Sequence, residues 1–333
     1  MSTVDTTDGI LDSNAISPTD KNGRPIPVTI PVMLAPGVRV VYTTRLGGVS
    51  QGDAAGLNLG GKNGDDPKHV AANRAALADE IDARLSLVSQ IHSGTAIDID
   101  ETYAPNRDYG FDATGGALPD GGEPEATVIE AAAQVPTRRG VALGVSAAHR
   151  LPVLLADAEA GVIGVAHCGR RGLQQGVIGE TVRMMTGKGA SVERMVATLG
   201  PCICGDCYEV GESIAVEFDA RFPGTATTTR FGGPGIDIAA AALQELAAAG
   251  ITDDRIVESR PRVAAATQYL SEDDELAALC RTDGEGEPEL AARIDGVRHS
   301  LCTLENPLWY SHRRAALADK SGEGRMLALI VRE

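Results

Sequence analysis

The chain is short of several things, and each shortage removes a class of answer. No apolar run in its 333 residues is long enough to span a bilayer. The N-terminus lacks a basic region followed by an apolar stretch, so no secretion leader is expected and the protein is read as cytoplasmic. Cysteine is sparse, with six residues at positions 168, 202, 204, 207, 280 and 302, too few for a disulfide scaffold in a chain this long. Reduced thiols are the expectation. Positive charge is also scarce: 30 Lys and Arg against 46 Asp and Glu give a formal net charge of −16. That balance disfavours a phosphate backbone and repels anionic membrane surfaces, so neither nucleic acid nor membrane is an expected partner. Internal repeats are missing, and so is any run of closely spaced histidines of the kind several copper ions need.

What is present suffices for a globular protein. Hydrophobic residues make up 43% of a chain long enough to bury a large core without staples. Residues 1–25 read as a polar tail, and structure is expected from Ile26–Leu34 and Val38–Thr43, both β-rich. Thr44–Gly64 reads as a glycine-punctuated loop. A helix follows, capped by Asp65 or Asp66 with Pro67 in its first turn and Val70, Leu77 and Ile81 on one face. Further strands are expected at Leu85–Ile91, Val141–Ser146, Val153–Ala156, Val162–Ala166, Val196–Ile203 and Met326–Val331. Helices are expected near Leu173–Met184, near Glu212–Phe222, and after Asp237 up to Gly250. Strands alternating with helices point to α/β or α+β architecture, read as one domain over residues 26–333. Glu101–Glu125 reads as a surface excursion, and the acidic residues 271–298 as a loop-like insertion that packs little.

Chemistry concentrates where strands end in ionisable residues, because such loops hold reacting groups on a rigid base. In Gly140–Gly172 two apolar strands end in His149-Arg150 and in HCGRRG, which holds His167, Cys168, Arg170 and Arg171. That second loop opens onto a helix N-terminus, where free N–H groups attract anions. His92, in SQIHSG, fits a structural hydrogen-bonding role as readily as a ligand role. Thr43–Gly60, TTRLGGVSQGDAAGLNLG, joins Arg45 to several glycines and suits an anion, although glycine-rich loops also serve as plain tight turns. Arg170–Arg171 and Arg313–Arg314 are small-anion candidates, the second pair fitting a solvated surface equally well. In Gly200–Gly211, GPCICGDCYEVG, the C-x-C-x-x-C spacing suits a metal, but no fourth ligand is evident.

Taken in order, TTRLGGVS, LNLG, GDDP with its downstream Asn73-Arg74, Gln90-x-His92, HCGRRG, GPCICGDCYEVG, Cys302-Thr303, YSHRR and Gly324-Arg325 resemble the YfiH-type laccase-domain family, known as multicopper polyphenol oxidoreductases or purine nucleoside phosphorylases. The resemblance runs from about Val38 to Val331. It implies a four-layer α/β/β/α-like fold and a zinc-dependent enzyme that takes purine nucleoside and phosphate, by phosphorolysis or by deamination of adenosine. It implies two histidines and one cysteine as metal ligands. The histidines fall on His92 and His167, and Arg45 and Arg171 on contacts to phosphate or substrate.

The chain departs from that pattern at one decisive place. The family's A-D-C-x-P segment falls on Ala148-His149-Arg150-Leu151-Pro152, so Arg150 replaces the cysteine and His149 the aspartate. A guanidinium in place of a thiolate removes a donor and adds a cation. Like unit charges about 4 Å apart repel by roughly 4 kcal/mol at an effective dielectric near 20, and a divalent ion doubles this. Three readings follow. Cys168 or His149 completes a rebuilt zinc site with His92 and His167; or Arg150 and Arg171 clamp an anionic ligand without metal; or the chain is a silent nucleotide- or protein-binding member. Copper-dependent phenol oxidation, suggested by the family name alone, ranks last.

Overall fold

The computed structural model describes residues 18–122 and 128–333. The expected tail 1–25 lies mostly outside them, although Thr19 and Pro25 are bridged. In chain order the strands are β1 (Thr29–Ala35), β2 (Val38–Thr43), β3 (Arg84–Gln90), β4 (Ala96–Asp98), β5 (Gly110–Ala113), β6 (Glu130–Ala131), β7 (Ala133–Val135), β8 (Val141–Ala147), β9 (Leu151–Asp157), β10 (Val162–Cys168), β11 (Val196–Leu199), β12 (Ala226–Thr228), β13 (Pro234–Ile236) and β14 (Met326–Arg332). The helices are α1 (Pro67–Glu80), α2 (Ile99–Thr102), α3 (Arg170–Gln174), α4 (Val177–Gly187), α5 (Glu212–Arg221), α6 (Ile238–Ala248), α7 (Arg260–Tyr269), α8 (Asp274–Thr282), α9 (Leu290–Asp295) and α10 (His312–Leu317). This is a mixed α/β fold with several sheets. Among the described residues no helix is long and apolar enough to cross a membrane.

Strands of the larger sheet run β1-β2-β14-β8-β3-β5, with β6 alongside β3; those of the second run β11-β9-β10-β7-β4. Side-chain alternation along the central strands explains how they stack. In β9, Leu151, Val153 and Leu155 pack with residues of α4 and α6, while Leu154 and Ala156 pack with Val40 and Leu143 of the larger sheet. The other face of the larger sheet, through Leu85 and Leu329, packs against Leu77 and Ala78 of α1. Continuous apolar runs such as PVLLA therefore mark strands buried on both faces. Gly164 on β10 faces α4, where a Cβ would lie 2.8 Å from the Met185 sulfur, so its bareness sets how closely that helix approaches.

Helix boundaries follow their caps. The Asp66 carboxylate accepts from the Lys68 N–H at 2.8 Å with Pro67 in the first turn. Asp237 accepts from the N–H groups of Ala239 and Ala240, and Gly250, at φ +91°, ends α6. One residue of α6 sits poorly. Glu245 is buried, its Oε2 has no partner among the described residues, and burial pushes its pKa up to about 7. A carboxyl with a raised folded-state pKa stabilises below its unfolded value and loses that contribution as pH rises through about 7. Glu245→Gln is therefore expected to add about 1–2 kcal/mol at pH near 8 and almost nothing near pH 5. Urea unfolding at the two pH values checks it; an equal effect at both contradicts the account.

Two expectations need correction. Residues 101–125 do not form a mere surface excursion: β5 pairs in parallel with β3, and Tyr109 and Phe111 are buried (residues 123–125 lie outside the described range). The acidic stretch 271–298 is not loop-like. It forms α8 and α9, and Leu276, Cys280, Leu290 and Ile294 join the core between the sheets. Its acidity misled because the polar residues cover one face of short amphipathic helices. The first strand also starts later than expected, at Thr29.

Candidate functional site

Opposed ends of β3 and β10 meet at a cavity of about 310 Å³ that takes in His92, His167, Arg150, Gln90, Lys62 and Arg325. Strand parity places them. Ile163 and Val165 of β10 face the larger sheet, so His167, two residues on, faces it too. On β3 the Ser86 hydroxyl donates across to Gln134, and Val88 and Gln90 share its face. Gln90 thus reaches Nδ1 of His167. Its amide is fixed from the other side: the Ser146 N–H donates to Oε1 at 2.7 Å, and Nε2 donates to the Ser146 carbonyl at 3.1 Å. With that amide orientation Nδ1 of His167 accepts, and the neutral ring carries its proton on Nε2.

His92 follows the end of β3 in a left-handed conformation, φ +58°, which a non-glycine residue adopts at a cost of order 1–3 kcal/mol. The turn brings its ring edge-on to His167, centroids 5.2 Å apart. Its Nδ1 is buried with no partner among the described residues. Burial first, then repulsion from Arg150 and Arg171, push the His92 pKa down to about 4. Burial and Arg150 hold His167 well below its ordinary value. Burial also lowers Arg150, with Arg325 and Arg171 repelling it and Tyr208 and Glu323 opposing. Two neutral imidazoles under converging guanidinium groups give the cavity a positive field of the kind that attracts anions.

The structure brings His92, His167 and Arg150 together, with exposed Arg171 close enough for its field to be felt at His92. It does not bring Arg45. That guanidinium is buried in a two-point ion pair with Asp283, at 2.7 and 3.0 Å, so the phosphate contact expected of it is corrected to a structural role. Arg314 joins the same cluster, 3.8 Å from Asp283, which removes it as a surface anion contact. Neither proposed third metal ligand reaches the histidines. Cys168 faces the helix side of β10, its thiol buried and its pKa raised by that burial. His149 packs edge-on against Tyr208 at 4.5 Å and towards His312 at 6.0 Å. The donor set around His92 and His167 therefore does not fit the zinc centre that the resemblance implies, or a group of coppers.

A metal-capable cluster does exist, elsewhere. Among the described residues the one group of three or more His, Cys, Asp or Glu donors able to share an ion is Cys204, Cys207, Cys302 and Glu305. The C-x-x-C half was visible in the sequence. The other half, Cys302-x-x-Glu305, shows the same spacing, but only folding places it alongside. Gln90 and Arg325 were also overlooked as pocket residues; the Q-x-H pattern held the signal for the first, since alternation puts Gln90 on the inner face.

Residues 39–273 match the family described as multi-copper polyphenol oxidoreductase laccase. A purine nucleoside phosphorylase of Corynebacterium glutamicum is 40% identical over 228 residues, covering 68% of this chain and 84% of that protein. An adenosine deaminase from an unknown prokaryotic organism is 34% identical, covering 67% and 83%. The solved structure of the hypothetical protein YfiH from Bacillus licheniformis superposes with a TM-score of 0.68 at 22% identity, over 92% of this chain and 97% of that one, a likeness of fold. On the family match and the shared sequence with the phosphorylase, the chain belongs to the multi-copper polyphenol oxidoreductase laccase family, the YfiH-type laccase-domain proteins.

Proposed function

We propose that the protein is a cytoplasmic purine nucleoside phosphorylase, a single domain over residues 26–333 built as a four-layer α/β/β/α sandwich. The observation that carries the reading is the cationic rim of the two-histidine pocket in a chain 40% identical to a phosphorylase. Arg150, Arg325 and Arg171 supply the positive field for phosphate, and the neutral ring of His167 offers its Nε2–H to the ligand. Phosphate attacks the ribose C1′ through one oxygen, the glycosidic C–N bond breaks, and the proton of hydrogen phosphate passes to the departing base, giving ribose 1-phosphate and free purine. Cations and N–H donors are what that step needs. Deamination needs a hydroxide at the purine C6, and two imidazoles without a third donor are poorly equipped to generate it.

The test incubates purified protein with inosine or adenosine and phosphate, with and without added zinc, and resolves the bases by chromatography. Free base that depends on phosphate is expected. Any change of rate between about pH 6 and 8 should follow the second ionisation of phosphate and not a pocket histidine, because both imidazoles stay neutral throughout that range. His167→Ala should lower kcat/KM by roughly a hundredfold. Absence of turnover under every condition, with nucleoside still bound in calorimetry, favours the second reading, a silent nucleotide-binding member; Arg150 in the cysteine's place is what speaks for it.

A further inference from the structure

We propose that Cys204, Cys207, Cys302 and Glu305 form a closed structural zinc site, separate from the two-histidine pocket. Their donor atoms all lie within 4.8 Å of one another. Tetrahedral zinc with metal–sulfur bonds near 2.3 Å sets its donors roughly 3.8 Å apart, so a small contraction of the cluster seats the ion. The Cys207 sulfur already lies 3.4 Å and the Cys204 sulfur 3.9 Å from Oε1 of Glu305. All three cysteines are free thiols.

The two arms are built for this. In the first, Cys207 N–H and Tyr208 N–H both donate to the Cys204 carbonyl, curling the C-x-x-C turn. In the second, Asn306 N–H donates to the Cys302 carbonyl across an equal spacing. A parallel bridge between Cys202 and Cys302 locks the arms side by side, with Thr303 N–H on the Cys202 carbonyl at 2.9 Å. The Cys204 N–H points at the Cys302 sulfur at 3.5 Å, the kind of outer contact that steadies a ligating thiolate. Oε2 of Glu305 accepts from the N–H groups of Arg298 and His299 at 3.0 and 2.8 Å, which leaves Oε1 to face the sulfurs. Arg230 reaches that same Oε1 at 3.9 Å, but from a partly exposed side chain that can turn to solvent when a cation takes its place.

Zinc entering this site displaces the three thiol protons and takes four protein donors, leaving no open position for substrate. Its work is to fasten the 302–305 turn to the 202–208 loop. That loop carries Tyr208, whose ring packs against His149 next to Arg150, so the ion steadies the pocket wall from behind.

Protein purified without chelators under reducing conditions should hold about one zinc per chain by elemental analysis. Cys204→Ser and Glu305→Gln should each lower that content, while His92→Ala and His167→Ala should leave it unchanged. Unfolded variants are bypassed by the wild-type protein itself: after exchange of zinc for cobalt(II), it should show thiolate-to-cobalt charge-transfer absorption and the visible bands of a tetrahedral ion. Zinc that survives loss of the cysteines but leaves with His167 overturns the proposal. So does a zinc-free protein whose Cys204 and Cys207 are joined in a disulfide, or a cobalt form without thiolate absorption.

Discussion

Asp283→Ala should destabilise the protein by about 3–5 kcal/mol, the usual cost of stripping the partner from a buried charge. The loss is large because one carboxylate serves three guanidinium groups. Arg45 grips it with two hydrogen bonds, Arg293 approaches to 3.1 Å and Arg314 to 3.8 Å, all in side chains almost wholly withdrawn from solvent. Burial alone would raise the Asp283 pKa, and the arginines overcome it, Arg45 first. Arg314 shows the strain on the other side: burial, with repulsion from Arg45 and Arg293, pushes it down to about 9 despite Asp283. Without the carboxylate three like charges face one another in the core. Asp283→Asn should cost nearly as much, since it keeps the shape and loses the charge. Urea unfolding of both variants measures the effect; a loss under about 1 kcal/mol in each would show that the cluster is solvated and unimportant.

Arg150→Cys should have the largest effect on the pocket. The substitution removes the guanidinium that repels a cation and restores a soft donor beside His92 and His167. About one further zinc ion per chain is expected, beyond any held by Cys204, Cys207, Cys302 and Glu305. Lifting the cation also relieves the imidazoles, whose basicity Arg150 depresses. The obstacle is Gln90. Its N–H occupies Nδ1 of His167, and turning the amide over breaks two hydrogen bonds to Ser146, a cost of about 1–3 kcal/mol. Ligation through Nε2 requires that turn, because the ring proton must move to Nδ1 and be accepted there. Pairing Arg150→Cys with Gln90→Ala should therefore change zinc affinity in a way neither substitution predicts alone. Equal zinc content in the variant and the parent protein would mean that Arg150 does not govern the metal.

How much was legible beforehand differs by element. Strand β2 and the cap at Asp66 matched because their signals are local: a β-branched run for one, a carboxylate before proline for the other. Family membership was legible as well, through motifs whose order leaves little freedom. Arg45 was misread for the opposite reason. A glycine-rich loop with an arginine looks the same whether the guanidinium meets phosphate or a carboxylate 238 positions away. The acidic stretch holding that carboxylate was misread with it, since its partners lie in distant parts of the chain.

The sequence by itself determined most of the central strands, the starts of α1 and α6, the family, and the exchange of a cysteine for Arg150. Periodicity, capping and identity are properties of neighbouring residues, and they survive without a fold. Only the tertiary structure decided that His167 and not Cys168 faces the pocket, because that depends on which sheet face packs against which layer. It alone decided that Cys302 and Glu305 meet Cys204 and Cys207, because a donor set is a matter of distance in space, and the chain between the two pairs carries no mark of their meeting.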